Sequence, residues 1–178
     1  MLEEILPGLY RIPVPLPGNP LKELNAYLLR GRERSFLVDT GFRQPECRQA
    51  LFAGLEELGC RSRPVDVLIT HRHSDHAGLA LEAAGETGHI YVSRLALPSL
   101  ENREARLRFW AQSDRRFLEE GFPAAVMERL NASNPARALA APPSQGRYVG
   151  LEDGQELRLD GWRLRCLSMP GHTPGHMC

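Results

Sequence analysis

Four potential metal ligands are concentrated in six residues near the middle of this sequence, His71-Arg72-His73-Ser74-Asp75-His76. Protein zinc sites use imidazole nitrogens and carboxylate oxygens. On an extended or tightly turned loop, His71 and His73 would point to the same side and chelate one ion. Asp75 and His76 would lie one turn further on and face a neighbouring ion. Two ions roughly 3.5–4 Å apart hold a bridging hydroxide and polarise a carbonyl or phosphoryl oxygen. The stretch therefore predicts a two-metal hydrolytic site.

The residues that flank this run predict an α/β fold. Residues 65–70 form a short apolar run typical of a buried strand, and the histidines follow it directly on a loop. Residues 77–84 predict a short helix ended by Gly85, and residues 90–93 predict another strand. Strand, helix and strand in succession favour layered α/β architecture.

The upstream residues continue this pattern. Residues 9–12 predict a strand, followed by a loop broken by proline and glycine over residues 13–20. Residues 25–38 predict a hairpin. Residues 45–58 predict a helix that Gly59 ends. Its apolar residues recur at spacings of four, four and three: Cys47, Leu51, Leu55 and Leu58.

A second histidine cluster lies far along the chain, Gly171-His172-Thr173-Pro174-Gly175-His176. Its glycines let the backbone turn sharply and approach a metal closely. His172 would supply the third nitrogen to the ion held by His71 and His73, and three protein ligands plus water are usual in catalytic zinc sites. His176 has two open interpretations: a hydrogen-bonding partner behind the ligands, or a structural strand histidine.

The segment between the two histidine clusters has a different character. Residues 99–131 are rich in Arg and Glu and predict two helices divided near residues 121–123, followed by a loop over residues 135–146. Residues 157–167 then predict a hairpin about an Asp-Gly turn. Helices inserted at about 99–140 would cap the site and select its substrate. Four aromatic residues would line a pocket there, or alternatively only pack the helices onto the domain: Phe109, Trp110, Phe117 and Phe122.

The composition is that of an ordinary globular protein. The 178 residues are 42% hydrophobic and 25% charged, with a formal net charge of zero, and the length suits one domain with one core. The zero net charge gives no hint of nucleic acid or of an anionic membrane as a partner. The sequence shows no signal peptide and no apolar run of about 18 residues. We therefore expect a cytoplasmic protein with a small-molecule substrate.

The sequence resembles the metallo-β-lactamase fold superfamily in three motifs that occur in the same order: Leu37-Val38-Asp39-Thr40-Gly41, then residues 71–76, then residues 171–176. The third motif is similar to that of the glyoxalase II-like branch, which contains hydroxyacylglutathione hydrolases and thioesterases. The resemblance implies an αββα sandwich with its metals at one edge of the two sheets.

The resemblance also implies the ligands. The first metal would be held by His71, His73 and His172, and the second by Asp75 and His76. Asp39 would support the metal loop, with a turn or cap aspartate as the alternative. We expect Zn²⁺, as one or two ions, with Fe or Mn as alternatives because His and Asp ligands suit these metals as well.

The family pattern continues beyond this sequence with a bridging aspartate and a last histidine, whereas the chain ends at Cys178. By this count the second metal has only two ligands. We therefore expect residues 1–178 to be the N-terminal part of a longer single domain, incomplete at the C-terminus, whose missing segment covers the open face. A short self-contained form, covered by another subunit of a homo-oligomer, is the alternative.

The leading functional hypothesis is a metallo-hydrolase of a small ester, thioester or lactone. A metal-bound hydroxide would attack the carbonyl carbon, and Asp75 would orient it. One alternative is a phosphodiesterase or nuclease on the same scaffold, against which the neutral charge counts modestly. Another is an inactive metal-binding protein. Fold alone does not identify the substrate.

Overall fold

A seven-stranded mixed sheet forms the centre of the molecule in a computed structural model that describes residues 2–178. The strands follow chain order across the sheet, with β1 to β4 antiparallel to their neighbours and β4 to β7 parallel. Their bounds are Glu3–Leu6 (β1), Leu9–Pro15 (β2), Glu23–Leu29 (β3), Ser35–Val38 (β4), Val65–Leu68 (β5), Ile90–Ser93 (β6) and Tyr148–Leu151 (β7).

The remaining elements are helices and one hairpin. The helices are Pro45–Glu57 (α1), Ser74–Ala77 (α2), Ala80–Ala84 (α3), Leu97–Glu101 (α4), Arg103–Glu119 (α5), Ala124–Ser133 (α6) and Pro135–Ala138 (α7). None of those within residues 2–178 has the length and apolar character needed to cross a membrane. The hairpin pairs Glu156–Leu159 (β8) with Trp162–Arg165 (β9). Its turn at Asp160 and Gly161 has positive φ angles of 40° and 92°, as a two-residue hairpin turn requires, which confirms that prediction.

The sheet lies between the helices on one face and the hairpin on the other. Helix α1 packs on β2, and α3 packs on β5 and β6. Successive residues of a strand point to opposite faces, so Leu37 faces the core under the helices whereas Phe36 packs with Leu159 and Trp162 of the hairpin. The layered α/β architecture expected from the sequence is confirmed.

Strand β2 extends further than predicted. The sequence predicts a loop from Pro13, but the strand continues to Pro15. Strand β1 pairs with β2 only as far as Arg11, so both prolines lie where β2 is paired with β3 alone. A proline is tolerated there because no second neighbouring strand needs a hydrogen bond from its N–H, which proline lacks.

The helix predicted over residues 77–84 is divided into α2 and α3. The hydroxyl of Thr40 explains the break. Its Oγ1 accepts a hydrogen bond from the backbone N–H of Leu79 at 3.1 Å and donates one to the carbonyl of His76 at 2.6 Å. Neither backbone group is then available to a continuous helix. Helix α2 also begins earlier than predicted, so Asp75 and His76 lie in its first turn and not on a loop.

The sequence patterns do not predict two strands and two short helices: β1, β7, α4 and α7. Strand β1 is short, and all four of its side chains are exposed, so it lacks an apolar alternation. Strand β7 contains Gly150, and glycine is unfavourable in strands, so the sequence does not indicate a strand there. Gly150 lies close to α4: a Cβ at this position would be 2.8 Å from the side chain of Leu97. Helix α7 occupies the start of the loop predicted over residues 135–146.

Helices α5, α6 and α7 are joined by one carboxylate. The two helices predicted over residues 99–131 correspond to α5 and α6, apart from the short α4 that precedes them. Asp114 on α5 accepts a hydrogen bond from Asn131 of α6 at 3.0 Å and pairs with Arg137 of α7 at 2.5 Å. The guanidinium of Arg137 also lies over the ring of Trp110, 5.3 Å from its centroid. These contacts hold the three helices together.

We predict that Asp114→Ala loosens this helical unit selectively. The variant removes the hydrogen-bond acceptor of Asn131 and Arg137. We expect a loss of about 1 kcal/mol in local stability, since solvent partly screens an ion pair whose side chains are 24% exposed. Hydrogen exchange should become faster in α5–α7 and stay unchanged in β4–β6. Glu128→Ala, which removes an exposed acid from α6, is the matched control. Equal exchange rates in the two variants would show that Asp114 does not join the helices.

Candidate metal centre

The candidate ligands meet at the carboxyl ends of two parallel strands. Asp39 follows β4 directly, and the loop after β5 leads into the first histidine cluster. The backbone N–H of Asp39 donates to Leu68 at 2.9 Å, and Asp39 turns the chain with a positive φ of 60°. The second cluster reaches the same edge because the N–H of Met177 donates to the carbonyl of Thr70 at 2.8 Å. Three distant motifs are thereby brought together.

Three imidazole rings converge on one point. The Nε2 atom of His71 lies 3.1 Å from Nδ1 of His73, which lies 3.1 Å from Nε2 of His172. All three nitrogens lie within 4.8 Å of one another. Ligand nitrogens about 2.0–2.1 Å from a tetrahedral zinc would be about 3.3 Å apart. The arrangement therefore fits a zinc ion with three protein ligands.

Two of these rings are held in the neutral form that binds metals. Burial lowers the pKa of His71 to about 2, and the other histidines, His76 first among them, add to the effect. Burial also lowers the pKa of His73 to about 4, assisted by the positive charge of Arg72. A neutral imidazole has a free lone pair, so no proton has to leave these two rings before a metal binds at neutral pH.

Hydrogen bonds to Asp39 and Thr70 orient the rings of the candidate ligands His71 and His76. Its Oδ1 accepts the backbone N–H of Thr70 at 2.9 Å, and its Oδ2 accepts the hydroxyl of Thr70 at 2.8 Å. The same Oδ2 lies 2.7 Å from Nδ1 of His76, and Oγ1 of Thr70 lies 3.2 Å from Nδ1 of His71. With both Nδ1 atoms acting as donors, Nε2 of each ring is free to bind a metal.

Asp75 and His76, the candidate ligands of a second metal, lie beside the triad. The Nε2 atom of His76 lies 3.5 Å from Oδ2 of Asp75, and its ring centroid lies 4.0 Å from that of His71. Burial opposes the charged form of His76, but its hydrogen bond to Asp39 and the charges of both aspartates outweigh burial and raise its pKa. Within residues 2–178, only the histidine triad forms a group of three or more candidate ligands.

His176 contacts the triad without joining it. Its ring is stacked on that of His71, with centroids 4.9 Å apart and an interplanar angle of 8°. The ring of His172 lies 6.2 Å away at a steep angle. A stacked neighbour restricts the rotation of His71, which agrees with a supporting role, and that role stays a prediction.

A cavity of about 570 Å³ adjoins the triad, a volume typical of small-molecule sites. His73 and His172 form part of its wall, and the residues of α4–α7 form much of the remainder. The four aromatic residues proposed from the sequence all line it: Phe109, Trp110, Phe117 and Phe122. They therefore do more than pack the helices onto the domain, because they enclose a space beside the metal ligands.

Sequence reasoning missed two residues of this region. Thr70 links Asp39 to His71. Its position, as a hydroxyl residue between a buried strand and the first histidine, could have indicated this role. Arg72 lies inside the ligand run, yet the sequence gives it no role. Its guanidinium lies over the ring of Phe109, 3.7 Å from the centroid, and this contact depends on a helix that is distant in sequence.

Comparison with known proteins agrees with this geometry. The pattern of the metallo-beta-lactamase superfamily matches residues 22–178. A hydroxyacylglutathione hydrolase of Haemophilus influenzae is 27% identical over 130 residues, covering 72% of this chain and 49% of that protein. An acyl-coenzyme A thioesterase of Gallus gallus is 28% identical over 157 residues, covering 86% and 52%. The chain thus spans about half the length of these curated relatives.

Solved structures give the same result. A metallo-beta-lactamase family protein from Thermus thermophilus superimposes with a TM-score of 0.78 at 35% identity, covering 98% of this chain and 56% of that one. A beta-lactamase domain protein from Burkholderia ambifaria, 24% identical, shares the fold with a TM-score of 0.73 over 99% of this chain and 51% of that one. The order of the motifs, their meeting at one sheet edge and the match over residues 22–178 lead to one conclusion: this chain belongs to the metallo-beta-lactamase superfamily.

Proposed function

We propose that the chain forms the metal-binding part of a hydrolase for a small ester, thioester or lactone. The observation that carries the proposal is the convergence of three histidine nitrogens beside a cavity. A thioester is the first substrate to test, because the relatives include an acyl-coenzyme A thioesterase and a hydroxyacylglutathione hydrolase. A cavity volume of about 570 Å³ is typical of small-molecule sites and favours a small substrate.

We propose zinc as the cofactor, held by His71, His73 and His172, with Asp75 and His76 offering ligands to a second ion. Bound zinc supplies a Lewis acid and lowers the pKa of a coordinated water. The protein's own contribution is orientation. Thr70 holds Nδ1 of His71, and Asp39 holds Nδ1 of His76. The Nε2 atom of each ring is therefore left free to bind a metal.

The remaining groups act on the substrate and on water. We propose that the carboxylate of Asp75, with 17% of its side chain exposed, accepts a hydrogen bond from the attacking water and orients it. The aromatic residues of α5 exclude bulk water from the cavity and enclose an apolar part of the substrate. Exclusion of water strengthens the electrostatic interactions made at the reacting carbonyl.

We predict that His73→Ala removes high-affinity zinc binding. His73 is the central ligand, with Nδ1 only 3.1 Å from the ligand nitrogens of both other histidines. Its loss should weaken zinc binding by more than the roughly 10–100-fold typical of residues that support ligands. Competition with a chromogenic chelator and elemental analysis measure this change. His89→Ala, which removes a histidine outside the triad, should retain zinc. Equal affinities would exclude the triad as the zinc site.

We predict that Asp39→Asn weakens zinc binding by roughly 10–100-fold without unfolding the protein. An amide nitrogen in place of Oδ2 would face two donors, the hydroxyl of Thr70 and Nδ1 of His76. Asp160→Asn is the matched control, because Asp160 also has a positive φ and accepts a backbone N–H, but lies in the β8–β9 turn. Unchanged affinity in Asp39→Asn would contradict the orienting role.

The hydrolase proposal predicts thiol release from an acyl thioester by the zinc-loaded protein. Release is followed with a chromogenic disulfide, and it should be lost in His73→Ala and retained in His89→Ala. Zinc bound tightly without any thiol release would contradict the thioesterase proposal and favour the metal-binding alternative. Turnover of a phosphodiester in the same assay, without thioester turnover, would favour the phosphodiesterase alternative.

A further inference from the structure

Arg72 occupies an unusual place for a guanidinium group. It lies between two residues of the triad in sequence, it is half-buried, and it lines the cavity. Its guanidinium stacks on Phe109 of α5, and no described residue pairs with it through a hydrogen bond or an ion pair. A stacked arginine retains its planar fork of N–H donors, so these donors are available to a ligand.

Other donors in the same wall are also unused. Arg106 has two guanidinium bonds, to the carbonyls of Ser99 and Ala141, but its Nη2 is buried without a partner within residues 2–178. The buried hydroxyl of Thr173 is likewise unpaired there. Both residues line the cavity. Buried polar groups are normally satisfied, so this part of the wall is short of hydrogen-bond acceptors, which an anionic ligand would supply.

The charges of the cavity wall point in the same direction. Arginine supplies three of its residues, Arg72, Arg106 and Arg137, whereas Asp114 is its one carboxylate among the described residues. Asp114 is already engaged by Arg137 and Asn131. Burial, together with the nearby charge of Arg106, lowers the pKa of Arg72, although an arginine stays protonated at neutral pH. An anion bound between these groups would relieve their repulsion.

Another part of the wall is apolar. Phe117 and Phe122 lie against each other, with ring centroids 6.1 Å apart, and Met127 is buried beside the same cavity. A ligand that satisfies both regions carries an apolar chain or ring and an anionic group. Neither a purely polar anion nor a neutral hydrocarbon would use both parts of the wall.

We propose that Arg72 is a specificity-determining residue that binds the anionic group of an amphipathic acyl compound, whose apolar part lies among the aromatic residues of α5 and the α5–α6 connection. This assignment rests on the proposed function, which it deepens by naming the substrate class. The ring of Phe109 holds the guanidinium in place, and two parallel N–H donors suit a carboxylate or a phosphate.

Ligand binding tests the assignment without requiring turnover. Trp110 lines the cavity, so its fluorescence reports occupancy once the other tryptophan has been removed by Trp162→Phe. The probes are 4-phenylbutyrate, its neutral counterpart 4-phenylbutanol, and 4-phenylbutyl phosphate. In this background we expect one or both anions to bind at least about 10-fold more tightly than the alcohol, since hydrogen bonds to charged groups exceed neutral ones.

Variants of Arg72 assign this preference to its side chain. Arg72→Met should reduce the preference to less than about twofold while leaving alcohol binding and zinc content unchanged, and Arg72→Lys should retain only part of it. Arg108→Met removes an exposed arginine from helix α5, next to Phe109 in sequence, and should leave the preference intact. A preference that persists in Arg72→Met would overturn the assignment.

The titrations are repeated after removal of zinc with a chelator, because carboxylates and phosphates also bind metals. An anion preference that survives in the metal-free protein and disappears in Arg72→Met supports Arg72. A preference found only with zinc, and insensitive to Arg72→Met, would overturn the assignment in favour of the metal. If thioesters are not hydrolysed but the Arg72-dependent preference is present, the hydrolase proposal fails and the binding assignment stands.

Discussion

The carboxylate of Asp39 is the group through which the parts of the candidate metal centre are connected. Its two oxygens bind the backbone and the hydroxyl of Thr70 and the ring of His76, so one side chain after β4 fixes the loop after β5. The parallel pairing of β4 with β5 brings these loops together. Met177, which directly follows the motif of residues 171–176, donates its N–H to the carbonyl of Thr70 and so attaches that motif to the same loop. Ligand geometry therefore depends on a short chain of hydrogen bonds at one sheet edge.

The cavity is formed by two parts of the chain, the histidine loops and the helices. Its metal end is built by the two histidine loops, whereas its far end is built by helices α5–α7, which are joined by Asp114. The stacking of Arg72 on Phe109 connects the two parts, because Arg72 belongs to the ligand run and Phe109 to the helices.

The sequence predicts that His71, His73 and His172 come together better than it predicts the bounds of the helices and strands around them. Ligand residues are visible in sequence because several imidazole and carboxylate groups at such short spacing are typical of metal sites, and the strand before them is plainly apolar. The division between α2 and α3 could not be predicted, since it depends on the hydroxyl of Thr40, a residue far away in sequence. Strand β7 was hidden by Gly150, a residue that is unfavourable in strands and lies close to Leu97 of α4. The part played by Thr70 and the stacking of Arg72 also required three-dimensional contacts.

The central claim is that His71, His73 and His172 hold one metal ion. Anomalous diffraction at the zinc absorption edge, from crystals of the zinc-loaded protein, tests it most directly. We expect a peak about 2.0–2.1 Å from Nε2 of His71, Nδ1 of His73 and Nε2 of His172. A zinc-loaded protein whose anomalous peaks all lie elsewhere, with these three nitrogens uncoordinated, would contradict it.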